Sequence, residues 1–176
     1  NGSSDSEDIT LTVNSVNDPV TLSAIGDQST DEDTDLTISV SSDDIDLEFY
    51  GEQHTFTLEC GDASLVETSC VSTGDRTADC TFDVMDHQYG STGCTVTVVD
   101  GNGSSDSEDI TLTVNSVNDC PEFEISEQYI TTEDNDLTIA VSSFDYDLAN
   151  YGESHTFTLE CGEESLVQTS CISTGD

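Results

Sequence analysis

Carboxylates and thiols are the groups in this chain that could do chemistry. Acidic residues number 39 against a single basic one, Arg76, and there are seven cysteines. The acids fall in short groups that return at a fixed distance. Glu32-Asp33 recurs as Glu133-Asp134, Asn17-Asp18 as Asn118-Asp119, and the pair Asp44 and Asp46 as Asp145 and Asp147. Asp100-Gly101-Asn102 adds another carboxylate and amide. Carboxylates grouped with amide oxygens form the donor set of a hard divalent cation, Ca²⁺ above all, which takes six to eight oxygens in irregular geometry. Solvated turn acids are the competing reading, since Asp and Asn favour turns for local hydrogen bonding. A turn needs one acid, whereas these loops repeat two or three in register.

Catalysis is not expected. Carboxylate pairs can do acid–base work only where a pocket raises one pKa, and these sit in repeated turns. His54 and its repeat His155, and the single His87 beside Asp86, read as structural histidines. No Gly-x-Ser-x-Gly elbow occurs.

The elements that must position these acids are set by a repeat. Residues 102–119 reproduce residues 1–18 without one change, an offset of 101. Roughly two-thirds of the positions that follow the same offset are identical, with no insertion. His54 to Gly61 returns as His155 to Gly162, and Ser72-Thr73-Gly74-Asp75 as Ser173-Thr174-Gly175-Asp176. Residues 1–18 are therefore expected to be the last strand of a preceding module. Residues 19–119 are one whole module and 120–176 the front part of a second. The chain is expected to be a window on a longer repetitive protein, unless neighbouring chains complete the broken modules.

Within a module, period-2 runs of Thr, Val, Ile and Leu are punctuated by Gly, Asp, Asn and Ser, which is strand patterning. Strands are expected at 20–25, 35–41, 53–60, 64–71, 77–84, 93–99 and 108–114. Seven short strands in about a hundred residues predict an all-β, antiparallel, immunoglobulin-like sandwich. Strand order then brings the second–third, fourth–fifth and sixth–seventh loops to the N-terminal end. One junction would gather Asn17, Asp18, Asp44, Asp46, Asp100 and Asn102. The other would gather Glu32, Asp33, Asp86, Asn118 and Asp119 with Asp145 and Asp147.

The cysteines have no CxxC spacing, which argues for disulfides and an extracellular setting rather than zinc. Cys60 and Cys94 close neighbouring strands of one sheet, and Cys70 and Cys80 face each other across a short hairpin; these pairings are expected. Cys60–Cys70 would span about 20 Å, beyond disulfide reach. Cys161 and Cys171 match Cys60 and Cys70 without their partners and are expected to be free or bonded to another molecule. Cys120 replaces Pro19 in register and either staples neighbours or stays a thiol.

The formal net charge of −38 would repel nucleic acid and anionic membranes, and no long apolar run could span a bilayer. Asn1 and Asn102 open Asn-Gly-Ser sequons, acceptors for N-linked glycans in a secreted chain.

Four motifs carry a family resemblance: Val16-Asn17-Asp18-Pro19, the run from Asp31 to Ile38, Asp44-x-Asp46, and Val98-Val99-Asp100-Gly101-Asn102-Gly103. Together they resemble the tandem cadherin-like, immunoglobulin-like repeats of large microbial surface proteins and adhesins. The resemblance implies extracellular rods, often stiffened by Ca²⁺. It suggests Asp18, Glu32, Asp44, Asp46 and Asp100 as ligand positions, with Asp119, Glu133, Asp145 and Asp147 in the second copy. The dense cysteines depart from that family, as does Leu47-Glu48-Phe49-Tyr50-Gly51, which replaces an Asp-Gly-rich loop. The function expected is a structural module of a fibre or stalk built from identical neighbours. The alternative is a spacer in an adhesin whose binding domain lies elsewhere.

Overall fold

The computed structural model describes residues 1–47, 53–126, 128–147, 151–152, 154–162 and 169–172. Beyond Leu47, the unusual segment at 48–51 lies outside the described residues, as does the repeated 173–176. The chain forms two compact units, residues 1–116 and 117–176.

The first unit is all-β. Its strands are β1 (Thr21–Leu22), β2 (Gln28–Asp31), β3 (Leu36–Asp43), β4 (Thr55–Cys60), β5 (Val66–Gly74), β6 (Thr77–Val84), β7 (Gly90–Val99) and β8 (Ser105–Asn115). They make two four-stranded sheets, β1-β3-β6-β5 and β2-β8-β7-β4. Every pairing is antiparallel except β2 with β8. This is the strand order of an immunoglobulin-like sandwich.

Alternation drives the packing. Along β7, Cys94, Val96 and Val98 point inward and Thr95 and Thr97 outward, because successive strand side chains take opposite faces. Phe56 and Leu58 meet them from β4, Phe82 from the other sheet, and Ile110, Leu112 and Val114 from β8. Each buried apolar side chain of this size stabilises the fold by about 1.5–3 kcal/mol.

The cysteine pairs fall at directly opposed positions. Cys60 faces Cys94 across β4 and β7, and Cys70 faces Cys80 across β5 and β6. Both pairs are disulfides, with Cα atoms 4.1 and 4.0 Å apart. Among the described residues Cys120, Cys161 and Cys171 are free thiols.

The first expected strand, at 20–25, is shorter than its pattern suggested. β1 holds only two residues, and Gly26, in the left-handed region at φ 75°, turns the chain across to the opposite sheet. There the polar β2, which carries no apolar alternation, pairs in parallel with the end of β8. Residues 1–18 form no strand in this structure. A strand exists only through hydrogen bonding to a neighbour, whatever its side-chain pattern.

In the second unit, β9 (Glu122–Glu124) pairs antiparallel with β10 (Ser142–Phe144). The pairs Ser143↔Phe123 and Phe144↔Glu122 reproduce, at the offset of 101, the pairs Ser42↔Leu22 and Asp43↔Thr21. Phe123 also packs against Phe157, with ring centroids 5.9 Å apart and planes tilted by 42°.

Candidate functional site

Three loops and the entering linker meet at one end of the first unit. The β3–β4 loop brings Asp44 and Asp46, the β5–β6 turn brings Asp75 and Arg76, and the β7–β8 turn brings Asp100 and Asn102. The loops are tied by backbone bonds: His54 N donates to Asp75 O at 3.0 Å, and Ser42 N to Arg76 O at 3.0 Å.

Carboxylates organise this end as hydrogen-bond acceptors. Asp44 Oδ1 accepts from Asp46 N at 2.8 Å, closing a local turn where the chain leaves β3. Asp46 Oδ2 accepts from the linker amide of Asp18 at 2.6 Å. Asp100 Oδ1 accepts from Asn102 N at 2.9 Å and Ser104 N at 2.7 Å, closing the turn into β8. Its other oxygen accepts from Asn17 Nδ2 at 3.2 Å, and Asn102 Nδ2 donates to Asn17 Oδ1 at 2.6 Å. Burial raises the Asp100 pKa, but the hydrogen bonds, from Asn17 first, outweigh it and hold this carboxyl below the ordinary value of 3.8. Asn17 and Asp18 are thereby clamped onto the module by Asp46 and Asp100.

Asp44, Asp46 and Asp100 are only 3%, 5% and 5% exposed. The guanidinium at this end is spent elsewhere: Arg76 donates to the exposed Asp43 carboxylate at 2.6 Å and to the Asp44 carbonyl at 2.8 Å. Inside the site, His54 stands between Ser42 and Asp44. Its Nδ1 lies 2.7 Å from Ser42 Oγ, and its Nε2 lies 3.5 Å from Asp44 Oδ2. Neither His54 Nε2 nor Asp44 Oδ2 has a hydrogen-bond partner, and both are buried. The histidine reads from sequence as structural, but its link to Ser42 and Asp44 does not. The signal was present: Ser143, Asp145 and His155 repeat the same three residues.

The second unit rebuilds this motif. Asp119 N donates to Asp147 Oδ2 at 2.7 Å, and Asp147 N to Asp145 Oδ1 at 2.9 Å. Asn118 Nδ2 donates to Asp119 O at 3.2 Å, as Asn17 does to Asp18 O at 3.1 Å. His155 closes on Asp145 at 2.9 Å and on Ser143 at 2.5 Å. Asp147 is wholly buried.

The other candidate positions are placed differently. Glu32 is buried at the opposite end of the first unit, where its amide, just past β2, donates to the carbonyl of Asn115, the last residue of β8, at 2.9 Å. Asp33, exposed there, accepts from His87 N at 2.8 Å. Asp86 and Glu133 are exposed. Asp18 is exposed too, and Asp18, Asp44, Asp46 and Asp100 do not bring three carboxylate oxygens within 4.8 Å of one another. The sequon asparagines Asn1 and Asn102 are both exposed, and Asn102 is already engaged with Asn17. Among the described residues no helix is long and apolar enough to cross a membrane.

No protein-family model matches this sequence, and no curated protein matches it. Among solved structures, the chain is similar to domains 4 and 5 of the S-layer protein SbsC. That match has 17% identity and a TM-score of 0.39, over 57% of this chain and 46% of that one. It is similar to the sialic acid binding region of a Streptococcus sanguinis SK1 adhesin at 11% identity and a TM-score of 0.42, over 60% and 33%. The titin M3 domain matches at 13% identity and a TM-score of 0.39, over 55% of this chain and 96% of that domain. The chain thus spans less than half of the S-layer structure and a third of the adhesin structure.

Proposed function

We propose that this chain is a structural module of an extracellular repetitive fibre or stalk, and that its linker end takes a divalent cation, Ca²⁺, which stiffens the entry to each module. The observation that carries the cation is the burial of Asp44, Asp46 and Asp100 together at one end, with Arg76 committed to Asp43. Taking carboxylates out of water costs several kcal/mol per ion unless a counter-charge is supplied. Hydrogen bonds compensate Asp46 and Asp100 in part, and Asp44 Oδ2, which has none, is the oxygen whose burial favours a bound cation over solvated turn acids.

Fit to the ion is partial and informative. The donors are hard oxygens, and the buried Asp44 Oδ2 accepts no hydrogen bond. The carboxylates do not converge on one point, so Ca²⁺ would be held by a subset of Asp18, Asp44, Asp46 and Asp100 with water completing its shell. What the chain's own residues do without the ion is clamp the linker. Asp46 holds the amide of Asp18, and Asp100 holds the side chain of Asn17. A cation would add neutralisation to an attachment that hydrogen bonds already orient.

Structural use rather than catalysis is supported by the repeated motif, which recurs with its hydrogen bonds in the second unit, and by the two cross-strand disulfides. Disulfides belong to oxidising surroundings, which supports an extracellular setting. The exposed Cys120 and Cys171 can bond to neighbouring chains.

The test is calorimetric titration of chelator-treated chain with Ca²⁺, alongside thermal unfolding. Extracellular modules bind in the range of about 10⁻⁴–10⁻³ M. At a hundredfold excess over Kd the ion should stabilise the fold by about 2.7 kcal/mol, and Asp46→Asn and Asp100→Asn should weaken that effect. Absence of both heat and thermal shift at about 10 mM Ca²⁺, well above that range, rejects the cation.

A further inference from the structure

The turn that leads into β8 carries a reactive dipeptide. Asn102 is exposed, and Gly103 follows it at φ 91°, in the left-handed region that a residue with a Cβ adopts only with strain. Asp100 N donates to Ser104 O at 2.9 Å and closes the turn, so a glycine after Asn102 is a requirement of the fold. We propose that Asn102-Gly103 is a deamidation site, that the seated linker holds the reaction back, and that reaction releases the linker.

The chemistry needs only water. The Gly103 nitrogen loses its proton to a solvent base and attacks Cγ of Asn102. A carbon–nitrogen bond forms, the Cγ–Nδ2 bond breaks, and Nδ2 takes up a proton and leaves as ammonia. The product is a cyclic imide. Water opens it at either carbonyl, which leaves a carboxylate in place of the amide, on a normal or an isoaspartyl backbone.

The folded module opposes that path at both reacting groups. Asn102 Nδ2, the departing group, donates to Asn17 Oδ1 of the linker at 2.6 Å. Gly103 N, the attacking group, donates to Asp100 O at 3.3 Å. The amides of Asn102 and Ser104, on either side of it, donate to Asp100 Oδ1 at 2.9 and 2.7 Å and keep that carboxylate ionised. A negative charge on the Gly103 nitrogen would form beside it. Asn17 alone among these groups lies outside the turn and the strands, so the linker is the part of the cage that can lift away with the core intact.

Reaction removes a bond that the linker uses. Asn17 engages both ends of its amide: Nδ2 donates to Asp18 O at 3.1 Å and to Asp100 Oδ2 at 3.2 Å, and Oδ1 accepts from Asn102. A carboxylate at position 102 has no hydrogen to give. It meets Asn17 Oδ1 as acceptor against acceptor, and turning the Asn17 amide over would forfeit both bonds of Nδ2. Conversion thus loosens the entry to the module, and loss of ammonia makes the change one-way.

The test is run with chelator present, so that ion binding does not enter. The unmodified chain, an Asn17→Ala chain and a peptide of residues 98–107 are held in mildly alkaline buffer. Peptide mapping by mass spectrometry follows conversion at Asn102 separately from Asn1. The peptide should convert at least about tenfold faster than the folded chain, and Asn17→Ala should raise the folded rate about fivefold, the worth of one net hydrogen bond. Folded conversion as fast as in the peptide, or a rate unmoved by Asn17→Ala, overturns the proposal. Asn102→Asp supplies the product, and hydrogen exchange at the Asp18 amide reads the linker. That exchange should quicken about fivefold while the amides of β6 and β7 hold. Unchanged exchange at Asp18 overturns the release.

Discussion

His54 Nε2 stands 3.5 Å from Asp44 Oδ2 with both side chains wholly buried, and His155 stands 2.9 Å from Asp145 in the second copy. In each, the other ring nitrogen meets a serine, Ser42 or Ser143. The imidazole thus stands between the end of β3 and the loop that follows it, hydrogen-bonded to the carboxylate in the second copy and only beside it in the first.

Removing that ring should destabilise the first unit. His54→Ala leaves a cavity and two polar groups without their neighbour, at a cost of about 3 kcal/mol. His54→Phe retains ring volume but not the polar contacts and should cost about 2 kcal/mol. Urea unfolding of the three chains measures both; equal stability of His54→Ala and the unmodified chain would refute the bridging role.

The linker clamp predicts a local effect without a global one. Asp46→Ala removes the acceptor of the Asp18 amide. Hydrogen exchange at Asp18 should then accelerate by at least about tenfold, the equivalent of 1.4 kcal/mol. Amides in β6 and β7 should change little. Unchanged protection at Asp18 would place the clamp elsewhere.

Disulfide removal should rank by loop length. Cys60–Cys94 closes a separation of 34 residues and Cys70–Cys80 one of 10. Loop-closure entropy assigns them about 4 and about 3 kcal/mol. The paired Cys→Ser variants, compared by denaturant unfolding, should lose stability in that order.

Acid should weaken the entry into β5. The Ser64 hydroxyl and then the Ser64 amide hold the Asp62 carboxyl below its ordinary 3.8. A lowered folded pKa contributes stability that is present above the unfolded value and is lost as pH falls through the folded one. Below pH 3.8 the turn should loosen, and Asp62→Asn should flatten that part of the acid dependence. Nuclear magnetic resonance titration of the Ser64 amide provides the check. An Asp62 titration at or above 3.8 would contradict the assignment.

Much of the fold was legible before any coordinates. Alternating Thr and Val along 93–99 predicts a two-faced strand, and β7 is that strand with three residues added at its start. Cys60–Cys94 and Cys70–Cys80 followed from which strands of such a sandwich are neighbours. β2 was not legible, because Gln28-Ser29-Thr30-Asp31 has no apolar face and is a strand only through backbone pairing to β8. The shared end for Asn17, Asp18, Asp44, Asp46, Asp100 and Asn102 was also readable, since strand direction alone assigns each loop to an end. Glu32 reads as buried or exposed only from its surroundings: it is hidden in the first unit, while its repeat Glu133 is open.

Sequence alone determined the period, the strand faces, the cysteine partners and the acids that share an end, because each follows from spacing along one chain. Tertiary structure decided what those acids do there: Asp46 and Asp100 grip a linker, Asp44 meets a buried histidine, and no three of the four carboxylates converge. It also decided that one sequence, written twice, is a core strand at 105–115 and an open segment at its first occurrence. Hydrogen bonds and burial belong to pairs of surfaces, and an identical stretch of residues has a different structure wherever its partner is different.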